Sequence, residues 1–295
     1  MASPYQLALR GRLVIVGKEP DGDSVRFVAD TPALYRQLAR AYRITPSTAD
    51  GSVQLRFEGV DAPELHYGSA AQPLGAVARD RLLERLGFSN VVYRASPPTM
   101  VASAEPPEGV GAAILSAMAE ANGRPVSYVL TGDDASLPAD GAWTLVDEAL
   151  LGRTANAWLL GEGLAYYTVY TSTPVAHRDA LRALAADARR RRAGVWELDR
   201  SGDFALVDQH SIGPDGQLVL PKLFRRCSDY LKAVAKGLSG NLADWIVSVS
   251  TGSRDENDGV LVCDRVQVHL ADLLEQRNNR VAFQADPLDI TFIEK

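Results

Sequence analysis

The chain has 295 residues, a net charge of -6 and a pI near 5.3. This acidic balance argues against a protein that coats nucleic acid non-specifically, because such binding depends on neutralising many phosphates. The chain is 46% hydrophobic, so it is expected to bury at least one core, and its length predicts two domains.

The cysteine content and the N-terminus predict a cytoplasmic protein that does not contact a membrane. Cys227 and Cys263 lie far apart in sequence and form no C-x-x-C pair, so neither a disulfide framework nor a zinc site is indicated. The N-terminal apolar stretch covers only residues 13–16, which is too short for a signal peptide or a membrane span.

The first third of the chain has the pattern of β-strands. Residues 7–16 and 24–29 predict a hairpin around the turn at residues 20–23. Residues 31–52 interrupt this pattern as an insertion, and helical spacing in their first half predicts a short helix. In the strand that follows, Val53, Leu55 and Phe57 alternate with polar residues, which places Arg56 on the opposite face.

Helices and strands alternate in the next part. Leucine and alanine spacing predicts a helix over residues 73–86, ended by Gly87. Residues 96–122 are interpreted as a second insertion, which contains a Pro-rich stretch and a small helix at 110–121. Further strands are predicted at 91–94, 125–130 and 164–170, and further helices at 145–161 and 176–192. Residues 1–200 are therefore expected to form an α+β domain, a five-stranded barrel capped by helices.

Residues 201–295 predict a second, smaller domain of mixed α/β structure, and its role is not indicated by any motif. Strands are expected at 217–220, 260–269, 281–283 and 289–293, and helices at 223–235 and 270–276. Residues 218–226 mix apolar and basic side chains and could contact a partner, but a strand followed by the start of a helix explains them equally well. Binding of nucleic acid, binding of another protein and self-association all remain open.

Three polar residues stand out at the strand ends of the first domain. Asp23 follows a tight turn and Asp61 lies in the turn after another strand, so a barrel can bring the two carboxylates together. Hard oxygen ligands of this kind suit calcium or magnesium. Arg56 carries a planar fork that matches two phosphate oxygens, although a surface ion pair with Glu58 or Asp61 is the simpler explanation for a single arginine.

A resemblance to a known family rests on short motifs in a fixed order. Residues 21–25, D-G-D-S-V, and residues 55–64, L-R-F-E-G-V-D-A-P-E, resemble the signatures D-G-D-T-V and R-L-x-x-V-D-T-P-E of the staphylococcal (micrococcal) nuclease family. Later matches are G-R at 123–124, L-V-D-E-A-L at 145–150, G-L-A at 163–165 and G-V-W at 194–196. The resemblance covers residues 7–199 and implies an OB-like barrel.

The resemblance also implies a calcium site. Asp23 and Asp61 would be ligands through their carboxylates, and Ala62 would contribute its backbone carbonyl. Ala62 replaces the family's threonine, so the carbonyl is kept and a hydroxyl near the metal is lost.

The implied reaction is the cleavage of DNA or RNA to leave 3′-phosphate ends. Glu64 would position or deprotonate the attacking water, and Arg56 and Arg124 would clamp the phosphate. By the same resemblance Tyr167 and Tyr170 are candidates for stacking on a base, although core packing is an equal alternative for either. The two insertions flank the expected site. Of the five charged site residues, Arg124 is the one whose assignment depends most on how these insertions fold.

Two alternatives remain from the residues themselves. The same barrel serves in some proteins as a non-catalytic scaffold that binds nucleic acid or protein, and the presence of both aspartates, Glu64 and both arginines favours the enzyme over this reading. The second alternative is an oligonucleotide-binding barrel without a metal, and it requires the placement of the carboxylates to be a coincidence.

Overall fold

The computed structural model describes residues 2–250 and 256–294. The strands in chain order are β1 (Tyr5–Val14), β2 (Arg26–Ala29), β3 (Val53–Gln54), β4 (Arg56–Phe57), β5 (Val60–Asp61), β6 (Ser89–Tyr93), β7 (Val101–Glu105), β8 (Val110–Ala119), β9 (Pro125–Thr131), β10 (Trp143–Leu145), β11 (Tyr166–Tyr167), β12 (Phe204–Ala205), β13 (Gly259–Val262), β14 (Val266–His269), β15 (Leu274–Arg277), β16 (Arg280–Phe283) and β17 (Ile290–Phe292). The helices are α1 (Gly75–Leu86), α2 (Glu148–Leu151), α3 (Ala155–Gly161), α4 (Val175–Arg190), α5 (Val195–Leu198), α6 (Pro221–Val234) and α7 (Leu242–Val249).

The main sheet is barrel-like and nearly closed, and in the described residues it has seven strands rather than the predicted five. Its order is β3-β2-β1-β8-β9-β4, with β10 also paired to β1. The ten-residue β1 explains one of the two additional strands, because one of its edges pairs with β10 at residues 5–7 and with β2 at residues 11–14 while the other edge pairs with β8. Strand β4 joins β9 in parallel and closes the arrangement on the side of Arg56.

The helix predicted over residues 110–121 is wrong. Val110–Ala119 is strand β8, which pairs with β1 on one side and β9 on the other. Alanines made this run resemble a helix, but Ile114 and Leu115 are fully buried and the strand lies in the middle of the sheet, where tertiary pairing overrides propensity. Part of the Pro-rich stretch before it is also a strand, β7, which forms a hairpin with β6.

Two helix predictions within residues 1–200 are confirmed, and the others change. The predicted helices at 73–86 and 176–192 correspond to α1 and α4, and Gly87 ends α1 with φ 101°, a conformation that favours glycine. The helix predicted over 145–161 is two helices, because Asp147 caps α2 and Thr154 caps α3. Residues 31–52 contain two short 3₁₀ turns. Of the predicted strand 164–170, Tyr166–Tyr167 form β11, and Tyr170 adds a single bridge to Phe292.

The C-terminal part forms two three-stranded sheets, β12-β16-β15 and β14-β13-β17, together with α6 and α7. The predicted helix at 223–235 corresponds to α6, whereas α7 was not predicted. The predicted strand 260–269 is the hairpin of β13 and β14. The predicted helix 270–276 is a 3₁₀ turn followed by β15, and residues 217–220 contribute a single bridge between Leu218 and Asp199.

The C-terminal part packs against the residues that directly follow β11. The backbone amide of Thr171 donates to the carbonyl of Phe292 at 2.8 Å, and the amide of Phe292 donates to the carbonyl of Val169 at 2.9 Å. One continuous cluster of buried apolar residues includes members of both parts. The side chains of α6 are thereby brought to the mouth of the barrel.

Candidate active site

A cavity of about 500 Å³ at the mouth of the barrel is unusually rich in charge. Six carboxylates and three guanidinium groups line it. The carboxylates belong to Glu19, Asp21, Asp23, Asp61, Glu64 and Glu120, and the guanidinium groups to Arg56, Arg124 and Arg225. The carboxylates outnumber the guanidinium groups by three, so the cavity is chemically suited to a further cation.

The turn at residues 21–24 carries the first carboxylates and is tied to the barrel by backbone bonds. The Asp21 amide donates to the Ser24 carbonyl at 2.9 Å, and the Phe57 amide donates to the Asp23 carbonyl at 3.1 Å. The Asp23 carboxylate accepts a bond from the Ala62 amide at 3.2 Å. Asp23 and Ala62, predicted from separate motifs, are therefore neighbours.

Asp61 ends β5, where it pairs in register with Tyr166 of β11, and only 3% of it is exposed. Burial alone would raise the pKa of its carboxyl. The guanidinium groups of Arg225 and Arg56 outweigh this effect and hold the pKa of Asp61 below its ordinary value. Asp61 is therefore an ionised carboxylate at neutral pH, held between two positive charges.

Arg56 joins the two aspartates that the sequence singled out. Its guanidinium forms an ion pair with Asp23, and its Nη2 lies 3.4 Å from Asp61 Oδ1. The predicted alternation of the strand is correct, because Phe57 is buried in the core while Arg56 faces the cavity. Pairing with Asp61, one of the two partners considered for an isolated arginine, is thus observed, but inside the cavity rather than on an open surface.

Glu64 is fixed through its backbone. Its amide donates to the side-chain oxygen of Gln72 at 3.1 Å, and the Gln72 amide donates back to the Glu64 carbonyl at 2.9 Å. Burial is the main cause that raises the pKa of Glu64 to about 7. Arg225 opposes this rise and Asp61 adds to it. A carboxyl with this pKa exchanges a proton near neutral pH.

Arg124, which directly precedes β9, also reaches this cavity. Its Nε lies 3.0 Å from Glu120 Oε1, so its charge is partly compensated. Arg56 and Arg124 line the same cavity. Their positions are compatible with two arginines contacting one ligand.

The two tyrosine candidates differ in position. Tyr170 lines the cavity, and its ring centroid lies 5.8 Å from that of Phe292. Tyr167 is 1% exposed and packs in the core, so it is not placed to stack on a ligand in the cavity. The strand register, which the sequence did not define, decides that Tyr167 packs in the core and that Tyr170 lies at the cavity.

Four charged residues of the cavity, Glu19, Asp21, Glu120 and Arg225, were not selected from the sequence, and Asp21 and Arg225 lie nearest the proposed ligands in their contacts. Asp21, which served only as a turn former, lies in the cavity, and burial together with the nearby charge of Asp23 raises its pKa to about 7. Arg225 of α6 binds both Asp61 and Glu64. Arg225 belongs to the mixed apolar and basic segment 218–226, yet no spacing linked that segment to the aspartates. The apolar side chains of the segment, including Leu223 and Phe224, are buried inside the chain.

The donor chemistry of the cavity fits a hard divalent cation. Asp23, Asp61 and Glu64 offer only oxygen atoms, which calcium and magnesium prefer. Within residues 2–250 and 256–294, no group of three or more His, Cys, Asp or Glu side chains is arranged to hold a metal ion. These carboxylates are instead paired with arginines, since Arg56 and Arg225 each bind two of them.

Comparison with known protein families finds a match to part of the chain. The family model described as Staphylococcal nuclease homologue matches residues 54–198. The match covers Arg56, Asp61, Glu64 and Arg124 and begins after the turn that carries Asp23. A comparison with curated proteins gave no match. None of the described helices is both long and apolar enough to cross a membrane.

Proposed function

The chain carries a domain of the staphylococcal nuclease homologue family over residues 54–198, and from this premise we propose that it is a calcium-dependent phosphodiesterase acting on DNA or RNA. One observation carries the proposal. Asp23, Arg124 and the segment that carries Arg56, Asp61 and Glu64 are separate in sequence but line one cavity. An isolated aspartate or arginine has many structural uses, whereas this combination provides the groups that phosphodiester hydrolysis requires.

The proposed metal ligands are the carboxylates of Asp23 and Asp61 and the backbone carbonyl of Ala62. The bond from the Ala62 amide to Asp23 keeps these residues together. Calcium bound by these oxygens would supply Lewis-acid polarisation of the phosphate and a template for the nucleophile. Asp21 adds a carboxylate to the same cavity and increases its preference for a cation.

The arginines are proposed to bind the scissile phosphate. A guanidinium matches two phosphate oxygens with two parallel hydrogen bonds, and its charge is stabilising when the phosphorus becomes five-coordinate. Arg56 and Arg124 both face the cavity, and Arg124 is the more exposed of the two, with 34% of its side chain accessible. Tyr170, on the wall of the same cavity, is proposed to stack on a substrate base.

Glu64 is proposed as the general base. Its raised pKa, about 7, suits a group that accepts a proton from water near neutral pH. The water oxygen forms a bond to phosphorus, and the bond from phosphorus to the 5′ oxygen breaks. The 5′ oxygen takes up a proton, so the products are a 3′-phosphate and a 5′-hydroxyl end.

A second candidate is a non-catalytic scaffold that binds nucleic acid or protein through the same barrel. The observation that favours it is the ion pairing in the cavity, since Asp23, Asp61 and Glu64 are all paired with arginines. In such a network each carboxylate already has a charged partner, so the arginines and carboxylates can serve the structure without a metal or a reaction. Activity measurements separate the two candidates.

The test is cleavage of single-stranded DNA, duplex DNA and RNA by the purified chain with calcium, with magnesium and with chelator. We expect calcium-dependent cleavage that leaves 3′-phosphate ends and is lost in Arg56→Ala. Arg26→Ala is the matched control, because Arg26 lies on neighbouring β2 and bonds to Ser52 away from the cavity. Absence of cleavage for every substrate and metal would leave the scaffold as the better account.

A further inference from the structure

Arg225 lines the cavity from the segment of chain that follows the matched family domain. Its Nη2 lies 3.0 Å from Asp61 Oδ2, and its Nη1 forms an ion pair with Glu64. Its side chain is 23% exposed. One guanidinium therefore holds two carboxylates, one of them a proposed calcium ligand and the other the proposed base.

Helix α6 holds Arg225 in this place through contacts on both sides. Before the helix, Gln72 Nε2 donates to the Val219 carbonyl at 2.7 Å. One turn after Arg225, the Tyr67 hydroxyl donates to Asp229 Oδ2 at 2.6 Å. Gln72 is the same side chain that fixes the Glu64 backbone. The guanidinium is thus positioned by a packed helix, and its contact with the carboxylates is built into the fold.

The charges in the cavity indicate what this contact does. A divalent cation bound by Asp61 needs carboxylate oxygens that Arg225 already occupies. Two cations that share these oxygens repel each other, and the repulsion is strong where water is largely excluded. The cation therefore binds Asp61 with its full affinity only when Arg225 has left that carboxylate.

On this geometry, and resting on the proposed function of the cavity, we infer that Arg225 is an internal counter-ion that competes with the divalent cation for Asp61 while it also pairs with Glu64. Cation binding and the docking of α6 on the barrel are then coupled. Coupling of this kind is reciprocal, so the loss of Arg225 strengthens cation binding and a bound cation loosens α6. The C-terminal part of the chain thereby restrains the site that the barrel provides.

Calorimetric titration with calcium chloride tests the inference without any need for catalysis. Arg225→Met keeps the length of the side chain and removes its charge, and we expect it to bind calcium about 5- to 150-fold more tightly than wild type, the usual range of coupling between two sites. Arg225→Lys keeps the positive charge but loses the planar guanidinium, so its calcium affinity should lie between those of wild type and Arg225→Met. Arg226→Met is the matched control, because Arg226 is the next residue on α6 and pairs with Glu256 and Asp258.

A second readout follows the helix itself. Hydrogen exchange of the α6 amides should become faster when calcium is added to wild type and should not respond to calcium in Arg225→Met. Thermal unfolding establishes that each variant is folded before titration. Arg226→Met should bind calcium with the affinity of wild type.

The outcomes distinguish this inference from the proposed function. Equal calcium affinity in folded wild type and Arg225→Met would overturn the competition while leaving the cation site intact. Weaker binding by Arg225→Met would also overturn it, since Arg225 would then orient the ligands. No calcium binding by wild type or by either Arg225 variant would overturn both the competition and the calcium dependence of the proposed nuclease.

Discussion

Arg124 and Glu120 face each other at the end of the β8–β9 hairpin, with Arg124 Nε 3.0 Å from Glu120 Oε1. The pair is reinforced by a backbone bond of 3.0 Å from the Glu120 amide to the Arg124 carbonyl. Arg124 is thus positioned by the carboxylate that also offsets its charge. This pairing affects how strongly Arg124 can bind a phosphate.

Glu120→Gln tests this relationship. The amide keeps an acceptor for Arg124 and removes the negative charge that competes with phosphate. We expect KM for a nucleic-acid substrate to fall by a factor of up to about five, the size of an exposed ion pair, with kcat nearly unchanged. Steady-state kinetics at fixed salt measures both constants. A rise in KM would show that Glu120 acts mainly by orienting Arg124.

Glu64→Gln tests the general base. The substitution keeps the shape of the side chain but removes its capacity to take a proton, so kcat should fall about 10²- to 10⁴-fold, the usual contribution of general base catalysis. Glu19→Gln is the control at the same cavity, because Glu19 accepts a bond from Thr99 and has no proposed role in the reaction. Equal losses in the two variants would point to the overall charge of the cavity instead.

Gly22→Ala tests the close packing of the turn between Asp21 and Asp23. A Cβ at this position would lie 2.6 Å from the Ala62 Cβ and 3.1 Å from the Ala78 Cβ. We expect overpacking to lower the free energy of unfolding by about 1–3 kcal/mol. Urea unfolding measures the change. Gly111→Ala in β8 is the control, because a Cβ there meets open space, and its effect should stay within about 0.5 kcal/mol.

His177 gives the protein a predictable acid sensitivity away from the cavity. Its ring is 2% exposed, with Nε2 2.8 Å from the Val146 carbonyl and Nδ1 3.0 Å from the Tyr128 hydroxyl. The carbonyl can only accept, so Nε2 carries the proton and Nδ1 accepts from Tyr128. Burial lowers the pKa of His177 below 6.5 in the folded chain.

The sign of the effect follows from linkage. Below pH 6.5 the unfolded chain binds a proton at His177 that the folded chain resists, so the stability present above pH 6.5 is lost as the pH falls toward the lowered pKa. The melting temperature of wild type should therefore exceed that of His177→Gln most at pH 7.5, and the difference should shrink at pH 5.5. A difference that is constant across this range would contradict the prediction.

The sequence by itself indicated the resemblance to a nuclease family and singled out the residues at the strand ends. The motifs around Asp23 and Asp61 are local and depend on turns and alternation, so their positions could be inferred without a fold. The amphipathic helices α1 and α4 were predictable for the same reason, because their periodicity and the glycine after α1 are properties of a short segment.

Tertiary structure decided what depends on distant partners. Strand β8 is alanine-rich and becomes a strand because β1 and β9 pair with both of its edges. The strand register buried Tyr167 and left Tyr170 at the cavity. Arg225 reaches Asp61 across 164 residues of sequence, a contact that arises only when α6 packs on the barrel. Such contacts cannot be inferred from local patterns, because two oppositely charged residues in remote segments have no fixed sequence spacing that identifies them as partners.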